Sequence, residues 1–128
     1  MNSKFAWSLP VLALLALAGP ASAAAPSEAE RSCFYSRNIS SFRPVDDKTV
    51  LLRVGVKDIY KLDLMGPCPD IDWSEQIGLV SRGSSWICSG LDAELVVPSR
   101  IGPQHCAVTT LRKLSPAEAA ALPRKARP

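Results

Sequence analysis

Apolar and polar positions alternate with period two through much of the chain, the pattern of strands with one face buried and one wet. Val50, Leu52 and Val54 share one face while Arg53 marks the other. After a turn over 55–58 the alternation resumes, with Tyr60, Leu62 and Leu64 set against Ile59, Lys61 and Asp63. This predicts the clearest hairpin in the chain. The run 33–42, rich in Phe, Tyr, Ile and Ser, predicts a first strand ended by Arg43-Pro44. Further short strands are expected at 77–81, 86–88, 91–97 and 105–112, and in the third of these Leu91, Ala93, Leu95 and Val97 alternate with Asp92 and Glu94. Two helix starts interrupt the β pattern. Asp72 and Glu75 have the capping-box spacing, with Asp72 placed to cap one or two helical turns. Ser115-Pro116-Ala117-Glu118 repeats the spacing with proline at the first helical position and must stop by Pro123.

Short strands separated by turn signals, without long helices between them, predict a mainly β fold. The expected form is a small antiparallel barrel, or a sandwich, of about five to six strands with a short C-terminal helix. A barrel removes the exposed edges that so small a sheet must otherwise protect.

The first residues have a different pattern. Lys4 precedes an apolar run over 5–18, Gly19-Pro20 breaks it, and Ala21-Ser22-Ala23 follows. This is the form of a cleavable secretory signal over 1–23, cut after Ala23 and too short for a stable membrane span. Residues 24–32 are small, polar and proline-bearing, and are expected as a disordered leader. Residues 33–122 then make a single domain, and 123–128 a basic, flexible tail. The expected setting is periplasmic or secreted, with no membrane span once the signal is removed.

Export changes the meaning of the cysteines. Cys33, Cys68, Cys88 and Cys106 all follow the signal, and an even number in a short exported chain reads as two disulfides. No C-x-x-C pair supplies the close ligand spacing of a structural zinc site. In "GPCPD", residues 66–70, two prolines hold Cys68 in a rigid corner unsuited to the middle of a sheet. Four cysteines allow three pairings. A barrel seam favours Cys33 with Cys106, tying the opening strand to the closing one, and leaves Cys68 with Cys88, pinning the corner to the strand led by Trp86.

Charge narrows the partners. The formal net charge is +3, and the excess sits at Arg124, Lys125 and Arg127, with near balance in the domain. With three Trp, two Tyr and three Phe in all, there is no clustering of basic and stacking side chains to suggest nucleic acid.

Candidate chemistry is sparse. His105 is the only histidine and stands beside Cys106, which a disulfide would remove as a nucleophile. No Gly-x-Ser-x-Gly elbow, phosphate loop or dinucleotide fingerprint is present. Asp70, Asp72 and Glu75 could share a hard cation such as calcium through oxygen ligands, but the full calcium loop is absent and helix capping accounts for Asp72 and Glu75. Trp73 and Trp86 read as core or rim packing, or as a platform for a partner. No cofactor is expected.

The succession of Cys33, Asp46-Asp47, the hairpin with Tyr60, "GPCPD", "ICSGLDA" at 87–93, "HCAV" at 105–108 and the closing "LRKLSPAEAAAL" resembles a family of small exported bacterial proteins classed only as a domain of unknown function. The resemblance covers nearly all of the chain after the signal. It implies a bacterial periplasmic setting and a shared fold, and it carries no catalytic residue onto this chain. The expectation is therefore a non-catalytic binding or interaction module that presents loops, with Trp73 and Trp86, to a protein of the envelope. The alternatives are a small hydrolase or thiol enzyme using His105, or a weak calcium site at Asp70, Asp72 and Glu75.

Overall fold

The computed structural model describes residues 32–128, so the signal expected over 1–23 and all of the expected leader but Ser32 lie outside the described residues. The chain runs through β1 (Phe34–Tyr35), β2 (Ile39–Pro44), β3 (Thr49–Val54), β4 (Asp58–Leu64), β5 (Gly78–Ser81), β6 (Trp86–Ile87), β7 (Ala93–Val97), β8 (Gln104–Lys113) and α1 (Pro116–Ala121). Six strands form one antiparallel sheet in the order β2-β3-β4-β8-β7-β5, and β1 pairs with β6 beside it. The mainly β fold with a short terminal helix and two disulfides is as expected, with eight strands and the larger sheet curled into a half-barrel. β2 and β5 are its edges. The gap between them is a cleft of about 400 Å³ lined by Ile39, Phe42, Gln76 and Leu79 among others.

The alternation of the β3-β4 hairpin sets the core. Val50 pairs with Leu62 and Leu52 with Tyr60, and all four point into the concave side with Leu95, Val97, Val108, Ile71 and Ile87. Burying a side chain of this size stabilises by roughly 2 kcal/mol. Tyr60 packs on Phe34 with ring centroids 4.6 Å apart, and burial pushes its hydroxyl above the ordinary tyrosine range. The opposite face of the hairpin is not left wet throughout. Leu51 and Ile59 point outward and are buried with Leu114 beneath Ala119, Leu122 and Ala126. The α1 segment thus caps a second small core, and Ser115 caps α1 by accepting from the Glu118 amide at 3.2 Å.

Several expectations are corrected by the packing. The first strand is split, because a single 3-10 turn over Ser36–Asn38 separates β1 from β2 and sends the two halves to different sheets. Leu91 is exposed, since Gly90–Asp92 forms a 3-10 turn before β7 begins. Residues 123–128, expected to be flexible, fold back: Arg124–Ala126 makes a 3-10 turn. Arg127 donates to the main-chain oxygens of Leu122 and Ala120, and the Arg53 guanidinium donates to Pro128 O at 3.0 and 2.6 Å.

The disulfide pairing is also corrected. Cys33 is bonded to Cys88 and Cys68 to Cys106, in place of Cys33 with Cys106 and Cys68 with Cys88. The reason is strand order. β8 lies in the middle of the sheet between β4 and β7, so the closing strand never meets the opening one. β1 instead pairs with β6 in the register Phe34↔Ile87, which places Cys33 directly opposite Cys88. Cys68 follows β4, the neighbour of β8, and Met65 N donates to Ala107 O at 2.9 Å just before the corner carries Cys68 over Cys106.

Candidate functional site

The described residues form an open groove of about 1010 Å³. It lies between the segment 70–76 and the β7-β8 connection, and Trp73, Ile101, Asp70, Glu75, Arg100 and Gln104 are among the residues lining it. Its first wall begins at the GPCPD corner. Pro67 and Pro69 restrict the backbone on either side of Cys68, whose amide donates to Asp47 O at 2.8 Å and whose side chain is fully buried. Asp70 then takes a left-handed conformation, φ +65°, which an aspartate tolerates better than most residues. That turn reverses the chain into the 3-10 turn Ile71–Trp73. Trp73 N and Ser74 Oγ both donate to Asp70 O, at 3.2 and 2.8 Å. Ile71 is driven into the core, 1% exposed, and Trp73 is correspondingly thrown outward, 87% exposed.

The second wall is the turn after β7. Val97 is fully buried and Pro98 ends the strand at the rim. Ser99 Oγ donates to Gly102 O, Gly102 N donates to Ser99 O at 3.2 Å, and Gly102 supplies the positive φ of +123° that closes the turn. Ile101 is held at the tip, 95% exposed. The Cys68–Cys106 bridge joins the two walls at their roots: Cys68 lies two residues before Asp70, and Cys106 two residues after Gln104.

The sequence-predicted residues divide around this groove. Asp70, Trp73 and Glu75 line it, and Asp72 is exposed on the same turn. Trp86 is elsewhere, on β6, edge-on to Tyr35 at 5.4 Å between ring centroids. The three acids do not converge: among the described residues no group of three or more His, Cys, Asp or Glu could hold a metal ion. Nor does Asp72 cap a helix, since Asp70 occupies the N-cap position and no side chain caps the turn.

A 3-10 turn that an acid does cap through its side chain is Gly90–Asp92, where the Asp92 carboxylate accepts from the amides of Ser89 at 2.9 Å and Cys88 at 3.3 Å. The Ser89-x-x-Asp92 spacing is the signal that reveals it. Asp72→Ala is therefore expected to leave the free energy of urea unfolding unchanged within about 0.5 kcal/mol, while Asp92→Ala costs about 1 kcal/mol through the two lost bonds to the carboxylate. Equal losses for the two variants would overturn this assignment.

His105 is on the convex face. It contacts the Glu94 carboxylate, which also pairs with Arg82 at 3.0 Å. The hydrogen bond with His105 outweighs desolvation, which acts the other way, and together with the hydrogen bond and charge of Arg82 and the charge of His105 it holds the Glu94 carboxyl below the ordinary range. Cys106 is bridged and no cysteine is free. Adjacent strand residues also point to opposite faces, so the imidazole and the Cys106 sulfur diverge. The other perturbed acid is Asp63. Partial burial pushes its carboxyl up, but hydrogen bonds from Thr110, Lys61 and Thr49 and the Lys61 charge outweigh it and hold the group below the ordinary range. Neither Glu94 nor Asp63 lines the groove.

No helix of the described residues is long and apolar enough to cross a membrane. Comparison with curated proteins and with solved structures gives no match. A family model does match, over residues 3–128, and by that match the chain belongs to a family of unknown function, DUF6491.

Proposed function

We propose that the protein is an exported, non-catalytic interaction module that presents the groove between residues 70–76 and 98–104 to a protein partner of the cell envelope. The observation that carries this reading is the pair of large apolar side chains, Trp73 and Ile101, held almost fully in solvent on the two walls of a groove whose roots share a disulfide. Exposed aromatic and aliphatic groups on a braced scaffold cost little ordering on association, and aromatic anchors of this kind carry much of the binding energy at protein interfaces. The apolar run over 5–18 and the Ala21-Ser22-Ala23 site support export, and two disulfides are compatible with an oxidising compartment. The engagement of His105 with Glu94 on the convex face, and the bridging of every cysteine, support a role without nucleophilic chemistry.

The test is capture from an envelope extract of the source organism on immobilised oxidised protein, run beside Trp73→Ala/Ile101→Ala. Both positions are exposed, so the variant is expected to melt like the parent. The expected result is one or a few proteins retained by the parent and lost by the variant. Identical retention by both, or by neither, would overturn the proposal.

A further inference from the structure

We infer that the groove takes an extended segment of a partner protein bearing a lysine or arginine side chain, with the cation seated against Trp73 between Asp70 and Glu75. The inference rests on the reading of the groove as a protein-binding site and adds the chemistry of what enters it. The two walls differ in charge. Asp70 and Glu75 line the Trp73 wall, with Asp72 exposed on the same turn, whereas Arg100 lines the wall opposite. Among the described residues none of these four groups takes part in an ion pair, although five such pairs form elsewhere on the surface. Two carboxylates beside an indole face make a site for a cation, by direct pairing and by cation–π attraction.

A second observation concerns the groove's own polar lining. Gln104 lines the groove, and its Oε1 is buried with no hydrogen-bond partner among the described residues; an unpaired buried acceptor carries a desolvation penalty, which rotation of this flexible side chain toward a donor in the groove would relieve. Arg100 on the same wall donates to no acceptor among the described residues. An extended polypeptide supplies both complements along its main chain, an amide for Gln104 and a carbonyl for Arg100, while its side chain carries the cation to the opposite wall. A small amine supplies only the last of these, and an anionic partner would meet two carboxylates.

The probe is a capped octapeptide of alternating arginine and leucine, titrated into the oxidised, isotopically labelled protein. The readouts are the Trp73 indole N–H resonance, assigned through Trp73→Phe, and the affinity. The comparison peptides carry citrulline, the neutral isostere, or glutamate in place of arginine. The arginine peptide is expected to bind saturably and move the Trp73 resonance. Its affinity should weaken at least about tenfold with citrulline or in Asp70→Asn/Glu75→Gln, and should fall as salt rises from about 50 to about 300 mM. Arg100→Ala is expected not to abolish binding.

Equal binding of the citrulline peptide, tighter binding of the glutamate peptide, equal binding of arginine amide alone, or no movement of the Trp73 resonance would each overturn the inference. Its failure is separable from that of the interaction reading. Capture from the extract that needs Trp73 and Ile101 but survives Asp70→Asn/Glu75→Gln would keep the groove as an interaction site and remove the cation.

Discussion

The double variant Cys68→Ala/Cys106→Ala is expected to lose about 4 kcal/mol of stability, a large share of what a domain of this size holds in total, and with it the shape of the groove. On the chain-entropy estimate the two bridges are nearly equivalent. Their sequence separations are 55 for Cys33–Cys88 and 38 for Cys68–Cys106, and loop cost rises only with the logarithm of length, so the difference is about 0.3 kcal/mol in favour of the longer loop. Burial reverses that order. Cys68 is fully buried in the main core beside Ile71, so its removal also leaves a void, whereas Cys33 and Cys88 are both exposed.

Cys68→Ala/Cys106→Ala should therefore be the costlier double variant in urea unfolding. It should also be the only one of the two that changes Trp73 fluorescence and capture of a partner in the native state. With a mild reductant the exposed Cys33–Cys88 bridge should open first. Non-reducing peptide mapping provides the direct check, with fragments joining Cys33 to Cys88 and Cys68 to Cys106. If Cys33→Ala/Cys88→Ala disturbs Trp73 as much as the other double variant does, the bridge does not brace the groove in the way proposed.

Gly90→Ala is the single substitution expected to do the most damage, about 3 kcal/mol, at the upper end of the range for overpacking. A Cβ added at Gly90 would lie 2.5 Å from Thr109 C, Thr109 O and Thr110 N. These are backbone atoms of β8, which cannot rotate aside as a side chain does. They also lie at a β-bulge, where the register shifts between Asp63↔Thr110 and Leu64↔Val108 and leaves Thr109 outside the ladder. The 3-10 turn Gly90–Asp92 seats its glycine against that irregularity, so accommodation would have to move either the turn or the central strand. Gly83→Ala is the control, because an added Cβ there meets nothing within 4 Å and the change should stay within about 0.5 kcal/mol. Urea midpoints at unchanged m value separate the two. A Gly90→Ala protein as stable as Gly83→Ala would show that the turn does not rest on β8.

Features whose causes are local are legible in the residues alone. The alternation of Val50, Leu52 and Val54 against Tyr60, Leu62 and Leu64 is enough to place β3 and β4 and their buried faces, because strand side chains alternate with period two whatever the neighbouring strands are. Ser115-Pro116 with Glu118 is enough to start α1, since the cap is closed within four residues. The rigid corner around Cys68, and the number of disulfides, likewise follow from residue type and an even number of cysteines. Asp70, Trp73 and Glu75 were visible as candidates for the same reason: they crowd one short polar turn.

The remaining features depend on strands far apart in the chain. The placement of β8 between β4 and β7 fixes which cysteines meet, and no local signal encodes a sheet order. The split between β1 and β2, the burial of Leu51 and Ile59 under the C-terminal segment, and the packing of Ala126 are likewise settled by surfaces that exist only once the sheet has formed. Asp72 has the spacing of a cap, but the left-handed turn at Asp70 and the pull of Ile71 into the core leave room for only a 3-10 turn, in which a local preference worth about 1 kcal/mol yields to burial of a side chain worth roughly twice that. The second wall of the groove was hidden for the same physical reason. Arg100, Ile101 and Gln104 lie about 30 positions from Trp73 along the chain, and they face it because β4 pairs with β8 and the Cys68–Cys106 bridge closes across that pairing.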